Sequence, residues 1–108
     1  MNNKGKELIS EFNKFVDSSI EKEEFDFDKA LEYLILLSKT HLEVILYVEI
    51  AELIANFYEA SKVSDKESSC SNIEAINATD KFLDKLIDLA KDEDKKSLID
   101  FKSFLVFG

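Results

Sequence analysis

Hydrophobic positions recur at steps of three and four along almost the whole chain, the period of helices with one buried side. Over residues 5–20, Leu8, Ile9, Phe12, Phe15, Val16 and Ile20 share a face, with Lys6, Glu7, Glu11, Asn13, Lys14 and Asp17 opposite. Residues 21–28 then read as an acidic connector in which Phe25 and Phe27 turn inward. Asp26 or Asp28 is placed to cap a second helix over residues 27–38, accepting its free N–H groups. That helix turns Ala30, Leu31, Leu34, Ile35 and Leu37 to the core. Thr40-His41-Leu42-Glu43 fits the capping box S/T-x-x-E, so a break near Lys39 and Thr40 should open a third helix.

The third helix, near residues 41–61, is apolar on nearly every side, through Leu42, Val44, Ile45, Leu46, Val48 and Ile50 and on to Leu53, Ile54 and Phe57. Such a pattern predicts burial by neighbours on most sides. Residues 61–71 have loop composition, and Ser71 with Glu74 forms a second box that starts a helix near Asn72. Its apolar side runs from Ile73 to Ala90, and Thr79 or Asp80 could cap a second piece if it breaks near residues 77–80. After KDEDKK (residues 91–96), Asp92 or Asp94 should cap a last short helix holding Leu98, Ile99, Phe101 and Leu105. The tail, Phe104 to Phe107, is too apolar to stay in water. It either docks between earlier helices or contributes to a partner or self interface.

There is no Pro, Gly occurs only at positions 5 and 108, and hairpin signals such as Asn-Gly are missing. The expectation is therefore all-α: a single domain over residues 1–108, built as an antiparallel bundle of four or five helices around a buried central one. A hydrophobic content of 45% excludes a chain disordered for want of apolar surface. The lone Cys70, in a Ser-rich stretch without a nearby base, reads as an inert thiol in a reducing cytoplasm. The first residues turn polar by Ser10 and Glu11, unlike a signal peptide, and no apolar run reaches the roughly 18 residues of a membrane span. A cytoplasmic protein is expected.

Charge changes the picture most. The formal net charge is −9 and every basic residue is a lysine. Nucleic-acid binders rely on basic stripes and arginine forks, so direct nucleic-acid binding is not expected; a basic partner, or solubility alone, suits this balance. The acidic residues gather at two places. The connector carries Glu21, Glu23, Glu24, Asp26 and Asp28, with Glu32 a turn later. The central helix carries Glu49, Glu52, Asn56 and Glu59 at three- and four-residue steps, hence on one stripe, continued by Asp65 and Glu67. Either group alone is explained as a solvated face. Together they favour a surface that enters a cationic cleft, and Glu49, Glu52, Glu59, Asp65 and Glu67 are the expected partner-binding residues.

Nothing converges toward catalysis. His41 is the single histidine and reads as a first-turn residue of the central helix, where work as an acid–base group with Glu43 or Glu49 is the weaker reading. No Glu-x-x-His pair, zinc spacing or phosphate loop occurs. No catalytic, metal or cofactor residue is expected, and the protein is read as a non-enzyme.

The phrase FVDSSIEKEEF, with Phe15, Ile20, Glu24 and Phe25 in an aromatic-x4-Ile-x3-Glu-Phe pattern, resembles the colicin D-type immunity proteins. These are small helical bacterial inhibitors of tRNA-cleaving toxins. A looser likeness lies in EIAELIANFYEASKVSD (residues 49–65), where an apolar helix ends in aromatic and acidic residues. The two stretches cover about a quarter of the chain. No Pro follows the acidic helix end here, and the segment after Asp65 is longer. Contact-dependent growth-inhibition systems use similarly small immunity proteins. The resemblance implies a one-to-one inhibitor whose Glu59 and Asp65 face the basic RNA-binding cleft of a nuclease toxin, with Tyr47 or Tyr58 adding apolar contact. Two other readings stay open: an acidic nucleic-acid mimic of the phage anti-defence kind, or an adaptor bundle that self-associates through residues 101–107. The protein is expected to be monomeric before binding, with a dimer through that tail as the alternative.

Overall fold

With no Pro and no internal glycine beyond Gly5, the helix ends fall to side-chain caps and local backbone turns. The computed structural model describes residues 4–64 and 72–107. These form helices α1 (Lys4–Lys22), α2 (Phe27–Ser38), α3 (Val44–Val63), α4 (Ile73–Leu89) and α5 (Asp92–Phe107), and no strand among the described residues.

Helix α1 ends in a Schellman turn. The N–H of Glu23 donates to the Ile20 carbonyl (3.3 Å) and that of Glu24 to the Ser19 carbonyl (3.0 Å), with Glu23 at φ 55°. Asp26 then caps α2, accepting from the Lys29 N–H at 3.0 Å. At the far end of α2 the carbonyls left free by the helix are taken by Ser38 Oγ (to Ile35, 2.7 Å) and Thr40 Oγ1 (to Leu36, 2.8 Å).

The Thr40 bond corrects the expected capping box. Its hydroxyl closes α2 instead of opening α3, which begins at Val44 behind Glu43 with no side-chain cap. His41 accordingly sits exposed in the connection, outside the first turn of α3.

At α4 the cap is Asn72, whose Oδ1 accepts from the Ala75 N–H at 3.1 Å. Ser71 lies outside the described residues. The break considered near residues 77–80 does not occur. Thr79 is fully buried and its hydroxyl donates back to the Ala75 and Ile76 carbonyls (3.0 and 3.1 Å), which satisfies it without interrupting the helix. Helix α5 spans 16 residues, so the tail extends it rather than trailing from a short helix.

Helices pack as α1·α2, α2·α4, α4·α3 and α3·α1, a four-sided arrangement, with α5 laid along α3 and α4. Successive helices reverse direction, so α1, α3 and α5 run parallel: Phe15 meets Phe57, and Tyr58 meets Phe101. The start of α1 comes close to the connection before α3. A Cβ on Gly5 would stand 2.5 Å from Leu42 Cδ2, so a larger residue there would make the tip of the Leu42 side chain shift.

The core is aromatic where α1, α2, α3 and α5 meet. Phe57 contacts Phe15, Phe25 and Phe27 at centroid distances of 5.6, 5.4 and 5.2 Å, and Phe27 continues to Phe101 and Phe104 at 5.9 and 5.1 Å. Edge-on and tilted ring pairs add to burial, so this cluster ties the helix ends to one another. Phe101 and Leu105 are core residues and Phe104 packs against the core. The tail thus docks through Phe104 and Leu105, while Val106 stays 55% exposed.

Candidate partner-binding face

Helix α3 turns Leu46, Ile50, Ala51, Ile54, Ala55, Phe57 and Tyr58 inward. What remains outward is the stripe: Glu49, Glu52, Asn56 and Glu59 are all exposed. At a rise of about 1.5 Å per residue it runs roughly 15 Å along a helix held by three neighbours. Asp65 and Glu67, the expected continuation, lie outside the described residues, as does Cys70.

The stripe is not uniform. Glu59 Oε2 lies 3.7 Å from Lys62 Nζ, and Lys62 also bonds Asp100 at 3.1 Å. Asp100 in turn accepts from the Tyr58 hydroxyl at 2.8 Å. The Tyr58 and Lys62 bonds hold the Asp100 carboxyl below its ordinary value, while burial and that same bond push the Tyr58 hydroxyl well above its own. Tyr58 is thus an internal brace between α3 and α5, not the surface aromatic considered above. Tyr47 is half-buried, with Lys85 Nζ 4.3 Å from its ring centroid.

Glu52 is in the opposite situation. Because α3 and α5 run parallel, it faces Asp94 in the first turn of α5. Partial burial, then the charge of Glu52, raise the Asp94 carboxyl above its usual value, and Lys91 offsets this only in part. No ion pair involves Glu49 or Glu52 among the described residues. Asp92 and Glu93 lie exposed in the same turn of α5. The acidic face is therefore shared by two helices. Asp92 and Asp94, expected as caps, lie instead inside the first turn of α5, and nothing in the sequence aligns Asp94 with Glu52.

The connector patch is separate. Glu21, Glu23, Glu24 and Asp26 are exposed at the end of the bundle where Phe25 and Phe27 reach Phe57, and the Asp26 carboxylate is engaged as a cap. Glu49 and Glu52 lie toward the other end.

Among the described residues no group of three or more His, Cys, Asp or Glu is arranged to hold a metal ion, and no helix is long and apolar enough to cross a membrane. Compared with known families, characterised proteins and solved structures, the chain matches none.

Proposed function

We propose that this is a binding protein that neutralises a basic nuclease domain, as an immunity protein does its toxin, by presenting the α3 carboxylates to a cleft built for phosphates. The observation that carries the reading is Glu52, exposed on a rigid helix, in no ion pair among the described residues and set against the like charge of Asp94, with exposed Glu49 one turn before it on the same stripe. A cleft lined with Lys and Arg supplies the missing countercharge. Complementary charge of this kind speeds encounter toward about 10⁸ M⁻¹s⁻¹ or more at low salt, which an inhibitor competing with RNA requires. An acidic inhibitor of phage type would use the same chemistry. For self-association, Phe101 and Leu105 are spent on the core, and only Ile99 and Val106 of α5 remain as exposed apolar side chains among its described residues.

The test is binding to a basic nuclease domain across a salt series. Affinity should fall steeply with added salt, and replacing Glu49 and Glu52 together by Gln should weaken it by about tenfold or more and flatten the salt slope. Salt-independent binding, unchanged in the double variant, rules the mechanism out.

A further inference from the structure

We propose that the bare apolar first turn of α3, Val44 and Ile45, is the anchor for a cationic amphipathic segment of the partner protein. This inference rests on the functional reading above and specifies what meets the carboxylates. Val44 and Ile45 are 65% and 62% exposed, although the helix they open buries Ile50, Ile54 and Phe57 completely. Leu36, on the helix that precedes them, is 50% exposed. Single exposed apolar residues are ordinary; adjacent branched ones on an outer turn are less so. Helix propensity does not account for them either, since Val and Ile form helix less readily than Ala, Glu or Lys.

Ile45 stands one turn before Glu49 at a four-residue step, so Ile45, Glu49, Glu52, Asn56 and Glu59 form one continuous stripe. It begins apolar and continues acidic. Glu43, Glu49 and Glu52 flank the apolar turn, and α3 itself carries no lysine before Lys62. The nearby cations come from other helices, Lys6 in the groove beside Glu49 and Lys85 over the Tyr47 ring, and leave Glu43 and Glu52 without an ion pair among the described residues. The complement of such a surface is an apolar side chain set among lysines or arginines. A second copy would set one chain of net charge −9 against another, and an anionic lipid surface would be repelled. Apolar anchors that exclude water govern off-rates, whereas flanking charges govern encounter, so the two ends of the stripe divide the work.

The probes are a labelled helical peptide of Leu and Lys with one apolar face, and an oligolysine of equal charge, each titrated by fluorescence anisotropy. Ile45→Ser should weaken the Leu/Lys peptide about tenfold, as expected for losing one buried branched side chain, and leave oligolysine unchanged. Glu49→Gln with Glu52→Gln should weaken both. An exposed site should keep the helical circular dichroism and melting temperature of Ile45→Ser unaltered, which separates lost contact from lost fold. Equal binding of the Leu/Lys peptide by Ile45→Ser overturns the anchor while leaving the charge reading standing. If salt and the Gln pair affect neither peptide, the charge reading falls, and the cationic occupant with it. A free-protein dimer in sedimentation that Ile45→Ser dissolves would assign the turn to a second copy and overturn the proposal.

Discussion

At the scale of single residues, Glu23 is where chain and backbone conflict. The Schellman turn requires a left-handed residue after the last turn of α1, and glutamate holds that place at φ 55°. For an L-residue with a Cβ the conformation costs about 1–2 kcal/mol, which glycine avoids. Glycine gives back part of this through the greater freedom of the unfolded chain. Glu23→Gly should therefore stabilise the protein by about 0.5–1 kcal/mol, a Tm rise of about 2–8 °C on thermal unfolding. The exposed Glu23 side chain enters no hydrogen bond or ion pair among the described residues, so its removal forfeits mainly charge, which a Glu23→Gln control separates. A lower Tm for the glycine variant would show that the turn is held by something other than its backbone bonds.

At the scale of elements, what the sequence revealed was what neighbours in sequence decide. Helix α2 was legible over its full span because Asp26 caps it locally and its apolar residues keep one period. The start of α3 was not, because Thr40 can serve either the helix behind it or the one ahead, and the choice depends on which groups remain free in three dimensions. Thr79 was ambiguous for the same reason. The aromatic cluster around Phe57 and the meeting of Glu52 with Asp94 were illegible, since both depend on α1, α3 and α5 running parallel. That alignment sets opposite titration behaviour along α5. Asp100 has a lowered folded-state value, so it stabilises above its unfolded value and the contribution is lost as pH falls. Asp94 has a raised value, so its contribution is present at acid pH and lost as pH rises through that raised value. Glu52→Gln should lower the Asp94 titration midpoint, read from its carboxyl ¹³C shift, and leave it above the ordinary value because burial remains the larger cause. Stability at neutral pH should rise relative to acid pH. An unmoved midpoint would mean that the two carboxylates do not meet.

At the scale of the whole molecule, the surplus of negative charge opposes folding and favours binding, and salt separates the two. The Cα radius of gyration is 12.9 Å and the longest extent 43 Å. At about 0.01 M salt the Debye length is about 30 Å, so carboxylates on different helices repel across most of the protein. At about 0.15 M it is about 8 Å, and only close neighbours interact. Local pairs such as Lys102 with Asp80 and Asp84, or Lys62 with Asp100, are exposed and lose a little by the same screening. A net charge of −9 has more like pairs to relieve than opposite pairs to weaken. Raising salt over this range should therefore raise the Tm of the free protein, followed by circular dichroism, while it lowers affinity for a basic domain. The opposed signs are the useful feature. Binding lost only because the fold loosened would track a falling Tm, whereas binding lost because carboxylates no longer attract a cationic cleft falls as Tm climbs. A Tm that drops with salt would show that cross-helix ion pairs outweigh the global repulsion, and would remove the argument that the α3–α5 acidic face is held at a cost that a partner relieves.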